Sequence, residues 1–120
     1  MPIMKDLIFL GDSLDELRNF PPSIKNELGY SLHLIQNGGR AVDAKPFKTV
    51  GQGVNEVRVK DENGAFRVMY VAKFVEAVYV LHAFQKKTQK TAQSDIDIAK
   101  QRYQWLISSR KEGKSCNKFK

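Results

Sequence analysis

Three segments rich in Val, Tyr and Phe, all between residues 54 and 84, constrain the fold more than any other feature of the chain. Residues 54–60, 66–73 and 76–84 have this composition, which is typical of β-strands because β-branched and aromatic side chains pack well on a pleated surface. Asn63-Gly64 separates the first two segments and indicates a hairpin turn. The three segments therefore predict an antiparallel meander, and residues 47–50 predict one further short strand.

Helical patterns flank this meander on both sides. A strand is predicted over residues 5–10, followed by a helix with Ser13 at its N-cap. Pro21-Pro22 ends that helix, and a second helix runs from Ser23 to Gly38-Gly39. A last helix is predicted from Ser94 to about residue 110. The apolar residues that recur at helical spacing are predicted to face the core: Leu14, Leu17 and Phe20, then Ile24, Leu28, Leu32 and Ile35, then Ile96, Ala99, Tyr103, Leu106 and Ile107.

This order of elements predicts an α+β domain. An N-terminal strand and a helical hairpin pack on an antiparallel sheet, and a C-terminal helix completes the fold. The 120 residues are enough for one compact domain, and we expect residues 113–120 to form a flexible basic tail.

The charge of the chain is concentrated in its second half. Residues 1–60 contain 8 Lys and Arg against 7 Asp and Glu, whereas residues 61–120 contain 12 against 6, giving +1 and +6. A basic surface on a small domain is typical of proteins that bind RNA, because each neutralised phosphate releases counterions. A charge that serves solubility alone is the alternative at this point.

The remaining composition bears on the compartment and on cofactors. Cys116 is the single cysteine, so an intramolecular disulfide cannot form and a reducing compartment is expected. The apolar stretch over residues 3–10 is too short to span a bilayer. We therefore expect a cytoplasmic protein with no membrane partner, and, because no His, Cys or carboxylate cluster has metal-ligand spacing, no metal and no cofactor.

Strand alternation predicts a charged face on the sheet. Glu56, Arg58 and Lys60 point to one side of their strand, and a two-residue turn at Asn63-Gly64 would place Lys60 opposite Arg67. The same register would place Arg58 opposite Met69. Because like charges opposed on a sheet destabilise it, this face needs a counter-anion within the fold or a phosphate to bind.

The polar run after the third strand adds further cations. Residues 84–91 are rich in lysine, and as a loop they could close over the charged face. His82 is predicted on the same side of its strand as Val78, Val80 and Phe84. That position favours a packed, hydrogen-bonded histidine over a general base, although its pKa makes acid–base chemistry possible.

Alternation also assigns the tyrosines of these strands. Tyr70 follows Arg67 by three residues and is therefore predicted on the opposite face, in the core. Tyr79 is predicted to face away from His82. Aromatic side chains in such positions are more often core residues than base-stacking platforms.

Four sequence motifs together resemble the phage-derived, HigB-like branch of the RelE/ParE toxin superfamily. They are Gly53-Val-Asn-Glu-Val-Arg-Val, Ala65-Phe-Arg-Val-Met-Tyr, Val80-Leu-His-Ala-Phe-Gln-Lys-Lys-Thr-Gln-Lys-Thr and Asp95-Ile-Asp-Ile-Ala-Lys. By motif the resemblance covers roughly residues 45 to 110. Their order is specific, whereas each motif alone would be weak.

The resemblance implies the toxin of a type II toxin–antitoxin system, a metal-independent endoribonuclease that cuts messenger RNA in the ribosomal A site. It also implies a helix-turn-helix antitoxin as partner, with which the toxin could form a heterotetramer. Carried over by motif, Arg67 would bind the scissile phosphate, and Arg67→Ala would abolish toxicity without unfolding the chain. Arg58 and Lys60 would lie beside Arg67, and Lys86, Lys87 and Lys90 would contact the RNA backbone or supply the basic or acidic group. With these roles we expect catalysis by Arg67, Arg58 and Lys87 and RNA binding by Lys60, Lys73, Lys86 and Lys90; His82 is a possible acid or base.

Two other functions remain open at this stage. The related ParE branch inhibits DNA gyrase without cutting RNA, and a nucleic-acid-binding domain without catalysis would show the same basic surface. Cleavage of messenger RNA on translating ribosomes, a defect in DNA supercoiling, or neither effect would separate the three.

Overall fold

The computed structural model describes residues 4–41, 43–87 and 90–111. Within these ranges the chain forms one mixed sheet of five strands and three α-helices, which confirms the predicted α+β class. The predicted tail over residues 113–120, including Cys116, lies outside the described residues. The strands are β1 (Asp6–Phe9), β2 (Ala44–Pro46), β3 (Val54–Asp61), β4 (Gly64–Val71) and β5 (Ala77–Lys86), and the helices are α1 (Ser13–Arg18), α2 (Pro22–Gln36) and α3 (Gln93–Lys111).

The strands lie in the order β1-β5-β4-β3-β2. The meander of β3, β4 and β5 is antiparallel as predicted, and β2 adds to β3 in the same sense. However, β1 pairs with β5 in parallel, so the sheet is mixed. This is possible because α1, α2 and three strands intervene between β1 and β5, which gives the chain the long connection that parallel neighbours need.

The predicted strand over residues 47–50 is wrong. The edge strand β2 lies just before it, and Ala44, Lys45 and Pro46 pair with Val57, Glu56 and Asn55. Residues 48–50 form a turn instead, in which the Val50 N–H bonds to the Phe47 carbonyl. Val50 is buried there, so its apolar character comes from core packing in a turn.

Helices cover the two faces of the sheet. The hairpin of α1 and α2 packs on one face, where Ile24, Leu28, Leu32 and Ile35 are buried as predicted. The other face packs against α3 through Ala99 and Leu106, which are both fully buried. The predicted positions Ile96, Tyr103 and Ile107 are only partly buried. The same is true of Leu14 in α1.

The helices begin differently from the sequence prediction. Asp12 occupies the N-cap of α1, while Ser13 is buried within the helix and its hydroxyl donates to the Val80 carbonyl. Ser13 therefore links α1 to β5 and does not cap the helix. Pro22 takes the first turn of α2, one residue before the predicted start, because proline lacks the N–H that is unsatisfied there in any case.

The β3–β4 hairpin has a different register from the predicted one. Asp61 pairs with Gly64, so Glu62 and Asn63 form the turn, and Arg58 lies opposite Arg67. Gly64 adopts a φ of 130°, which only glycine adopts readily. The Asp61 carboxylate accepts a hydrogen bond from the Asn63 N–H at 2.7 Å. The observed register differs from the predicted one by two residues, so that Arg58 lies opposite Arg67 and not Met69. Because side chains alternate with a period of two, every side chain stays on its predicted face.

A bulge in β5 changes the faces near His82. Met69 pairs with His82 but Tyr70 pairs with Val80, so Leu81 is one extra residue. His82 therefore lies on the α3 side of the sheet with Phe84, and the prediction that it shares a face with Val78 and Val80 is wrong. Tyr79 also packs on the α3 side, against the prediction that it faces away from His82. A bulge of this kind leaves no mark in simple alternation.

Tyr70 is buried on the α2 side, as predicted.

None of the helices in the described part of the chain is both long enough and apolar enough to cross a membrane.

We expect Leu106→Ala to destabilise the fold strongly, because Leu106 is 0% exposed and anchors α3 to the sheet. A buried Leu→Ala change removes apolar contacts and leaves a cavity, which costs about 2–5 kcal/mol. Urea unfolding measures this change. Gln104→Ala on the exposed side of α3 is the matched control, expected to stay within about 0.5 kcal/mol. Equal effects of the two variants would contradict the packing of α3 described above.

Candidate nucleic-acid interface

Basic side chains from four strands meet on the α3 side of the sheet, at the end formed by the β3–β4 hairpin. Two cross-strand rows run from β3 through β4 to β5: Arg58, Arg67 and Phe84, and then Lys60, Ala65 and Lys86. Directly opposed residues share a face. Lys45 of β2 pairs with Glu56 of β3, one row further from the hairpin, and lies on this face too. We call the set Lys45, Arg58, Lys60, Arg67 and Lys86 the cationic face.

Arg67 forms a buried ion pair with Glu56 at the centre of this face. The Arg67 Nη1 donates to Glu56 Oε1 at 2.5 Å, and the two side chains are 8% and 6% exposed. Arg67 Nε and Glu56 Oε2 are buried without a hydrogen-bond partner within the described residues. The Glu56 carboxylate thus supplies the counter-anion that the sequence required for this face.

Arg58 makes a more exposed contact. Its Nε donates to both carboxylate oxygens of Asp43, at 3.3 and 3.2 Å, and the side chains are 27% and 47% exposed. Exposed ion pairs contribute little to stability, typically about 0–1 kcal/mol. A phosphate group could therefore replace Asp43 as the partner of Arg58 at small cost.

The electrostatics of Lys86 show that the cations of this face influence one another. Desolvation lowers the pKa of Lys86, and the positive charge of Arg67 lowers it further. Arg58 and Lys45 act in the same direction, whereas Glu56 opposes them. An additional anion near these groups would reduce their mutual repulsion, so the face favours a negatively charged ligand.

His82 lies one row further into the sheet than Arg67. Its Nε2 is 2.7 Å from Asp95 Oδ1 on α3, and its ring stacks on Phe84 with centroids 5.0 Å apart. The side chain is 6% exposed, and Nδ1 is buried without a partner in the described part of the chain. His82 is thus a packed, hydrogen-bonded histidine that links β5 to α3.

The other predicted RNA-binding residues divide into two groups. The first group is exposed: Lys60 lies at the end of the cationic face, and Lys87 and Lys90 belong to the segment that follows β5. Thr88 and Gln89 of that segment lie outside the described residues. Lys73 lies beyond the other end of β4, about 20 Å along the strand direction from Arg67. There its Nζ donates to the Gln52 carbonyl at 3.1 Å, so the structure does not bring Lys73 together with the other cations.

Two residues of the site were not predicted from the sequence. Lys45 lies in β2, and Asp43 directly precedes this strand. β2 has only three residues, which is too short to show the alternation that would have revealed it. Within the described ranges, no group of three or more His, Cys, Asp or Glu side chains could hold a metal ion.

Comparison with known proteins gives one family. A family model described as "Phage derived protein Gp49-like" matches residues 15–104, which span α1 to the middle of α3 and contain the whole cationic face. A search of curated proteins gives no match.

We expect Arg67→Ala to destabilise the fold, which changes the sequence-based prediction that this variant stays folded. The substitution leaves the buried carboxylate of Glu56 without its partner, and breaking a buried pair in this way costs about 3–5 kcal/mol. Urea unfolding of Arg67→Ala and of the double variant Glu56→Leu, Arg67→Met tests this. Apolar replacement of both partners should recover most of the loss, and a double variant less stable than Arg67→Ala would contradict the explanation.

We expect Arg58→Gln to raise the pKa of Lys86 toward its ordinary value of 10.5, because one of the neighbouring positive charges is removed. NMR titration of lysine side chains labelled with ¹³C at Cε measures the midpoint. In the unmodified protein Lys86 should lose its proton below pH 10.5. Arg18→Gln, at an exposed position of α1, removes the same charge far from Lys86 and should leave the titration midpoint of Lys86 unchanged. A shift of the same size in this control would contradict a local effect of Arg58.

Proposed function

The chain belongs to the Gp49-like family of phage-derived proteins, and we propose that it is the toxin of a type II toxin–antitoxin system, an endoribonuclease that cleaves messenger RNA on the ribosome. The observation that supports this most directly is the position of Arg58 opposite Arg67, with Lys86 in the adjacent row. The HigB-like and RelE-like character of the motifs is the second support.

The balance of charge on the cationic face favours RNA as its ligand. Five cations are accompanied there by two carboxylates, those of Asp43 and Glu56. Arg58 and Arg67 lie opposite each other and are each paired with one carboxylate, so the face keeps an excess of three positive charges. Arg58, whose partner Asp43 is exposed, gains most from a ligand that brings further negative charge. A phosphodiester does so, and guanidinium groups can bind its oxygens through paired hydrogen bonds.

The proposed reaction is an in-line attack within the RNA. The ribose 2′-hydroxyl loses its proton to a base while its oxygen bonds to the adjacent phosphorus, and the bond from phosphorus to the 5′-oxygen breaks. The products are a 2′,3′-cyclic phosphate and a free 5′-hydroxyl. Negative charge develops on the phosphate oxygens during the attack. The exposed guanidinium of Arg58 would contact these oxygens, and the buried charge of Arg67 would stabilise them from beneath the surface.

Lys86 is suited to protonate the leaving 5′-oxygen. Its pKa is lowered by desolvation and by Arg67, and an ammonium group with a lowered pKa transfers its proton more readily. Lys87 follows it directly and is exposed, which suits the catalytic role implied by the resemblance or a contact with the RNA backbone. Glu56 holds Arg67 in position, and the packed His82 with Asp95 supports the neighbouring row.

The proposed partners follow from the same resemblance. They are messenger RNA in the ribosomal A site and a helix-turn-helix antitoxin, with which the toxin would assemble as a heterotetramer in the cytoplasm. Exposed Lys60, Lys87 and Lys90 would contact the RNA backbone outside the scissile phosphate.

We expect Arg58→Gln and Lys86→Gln each to reduce messenger RNA cleavage by about a hundredfold to a thousandfold, because each removes one positioned charge at the reacting phosphate. The assay adds purified protein to translating ribosomes and maps the 5′ ends of the fragments. Arg18→Gln and Lys25→Gln are the matched controls, since both lie on the helical hairpin and remove the same charge.

Three results would reject the proposal. Cleavage by Arg58→Gln at the rate of the unmodified protein would remove the cationic face from the reaction. A defect in DNA supercoiling with intact messenger RNA would indicate inhibition of gyrase. RNA binding without cleavage would indicate a binding domain.

A further inference from the structure

A polar cavity lies on the opposite side of the sheet from the cationic face. It has a volume of about 570 Å³ and lies between the end of α2 and strands β2 to β4. Its lining includes Lys5, Arg40, Asn55 and Tyr70. We propose that this cavity binds a small organic phosphate, a compound of the size of a nucleoside monophosphate.

The charge of the lining favours an anion. Lys5 and Arg40 are both cationic, and no acidic residue lines the cavity among the described residues. The Lys5 ammonium donates one hydrogen bond to the Ala72 carbonyl at 2.6 Å, which fixes its position. Since an ammonium has three N–H donors, the remaining two are available to a ligand.

Tyr70 and Asn55 add neutral polar groups to the same cavity. They are cross-strand partners on β4 and β3, and Tyr70 is 5% exposed. Burial raises the pKa of Tyr70, and the charge of Arg40 partly opposes this increase. Both side chains line the cavity, and the raised pKa keeps Tyr70 a neutral hydroxyl that can donate to a phosphate oxygen.

The size of the cavity limits the ligand. Sites for small molecules are typically about 300–1,000 Å³ and combine apolar walls with a few polar groups, and this cavity also contains Ile35 and Pro46 in its lining. A partly open cavity of this volume fits a compact ligand better than an extended polymer. A phosphate beside Lys5 and Arg40 would leave room for a sugar or base against the apolar wall.

A purely structural role of the two cations is the competing explanation. The last carbonyls of α2 form the negative end of a helix dipole, which nearby lysine and arginine side chains stabilise. The backbone N–H of Lys5 donates to the Gln36 carbonyl at 3.0 Å, which places Lys5 beside this end of the helix. In that case Arg40→Gln would change stability but the cavity would bind no phosphate. A binding measurement therefore separates the two explanations.

The experiment titrates the full-length chain with adenosine 5′-monophosphate, inorganic phosphate and adenosine, using isothermal calorimetry and amide NMR. We expect the monophosphate to bind, with shifts at Gly39, Ala41 and Tyr70, and adenosine to bind more weakly. Arg40→Gln should weaken binding by about tenfold or more, because it removes a charged hydrogen bond. Tyr70→Phe, which removes only the hydroxyl, should weaken it less.

Arg18→Gln is the control for the loss of one positive charge and should leave the affinity unchanged. Shifts confined to Phe84 and Lys86 would mean that the monophosphate occupies the cationic face, and that result would overturn the proposal. Absence of binding, or adenosine binding as tightly as the monophosphate, would overturn it as well. Arg40→Gln should cleave RNA like the unmodified protein, so this proposal and the proposed ribonuclease function fail independently.

Discussion

The buried ion pair between Glu56 and Arg67 is the interaction on which the charged end of the sheet depends. Without the carboxylate, the Arg67 guanidinium would lie desolvated and opposite a second guanidinium, that of Arg58. Buried pairs of this kind often add little to net stability, because desolvation offsets their attraction. The pair instead fixes the position of a cation within a central strand, and the more exposed side chains of Arg58 and Lys86 lie on the two neighbouring strands.

The bulge at Leu81 connects this end of the sheet to α3. By adding one residue to β5, it turns His82 toward α3, where the ring meets Asp95 and stacks on Phe84. Phe84 in turn lies opposite Arg67. A continuous set of packed groups therefore runs from the first turn of α3 to the cationic face. The position of the helix and the arrangement of the cations are consequently parts of one structure.

The sequence was sufficient to predict the class of fold, the three long strands, the helices and the face on which the cations lie, because periodicity reports burial directly. It failed where geometry depends on partners distant in the chain. The register of β3 and β4 depends on Gly64 closing the hairpin, and the face of His82 depends on the bulge. Lys45 was missed because β2 is too short to show a period, and the buried pairing of Arg67 with Glu56 could not be distinguished from an accessible arginine.

The free edge of the sheet at β2 has a consequence for association between molecules. An exposed edge strand offers unpaired N–H and C=O groups to any other extended chain. β2 limits this exposure to three residues and ends in Pro46, which has no N–H to donate. Strand-to-strand aggregation is therefore disfavoured at this edge, and the chain is protected from joining other copies of itself into a continuous sheet.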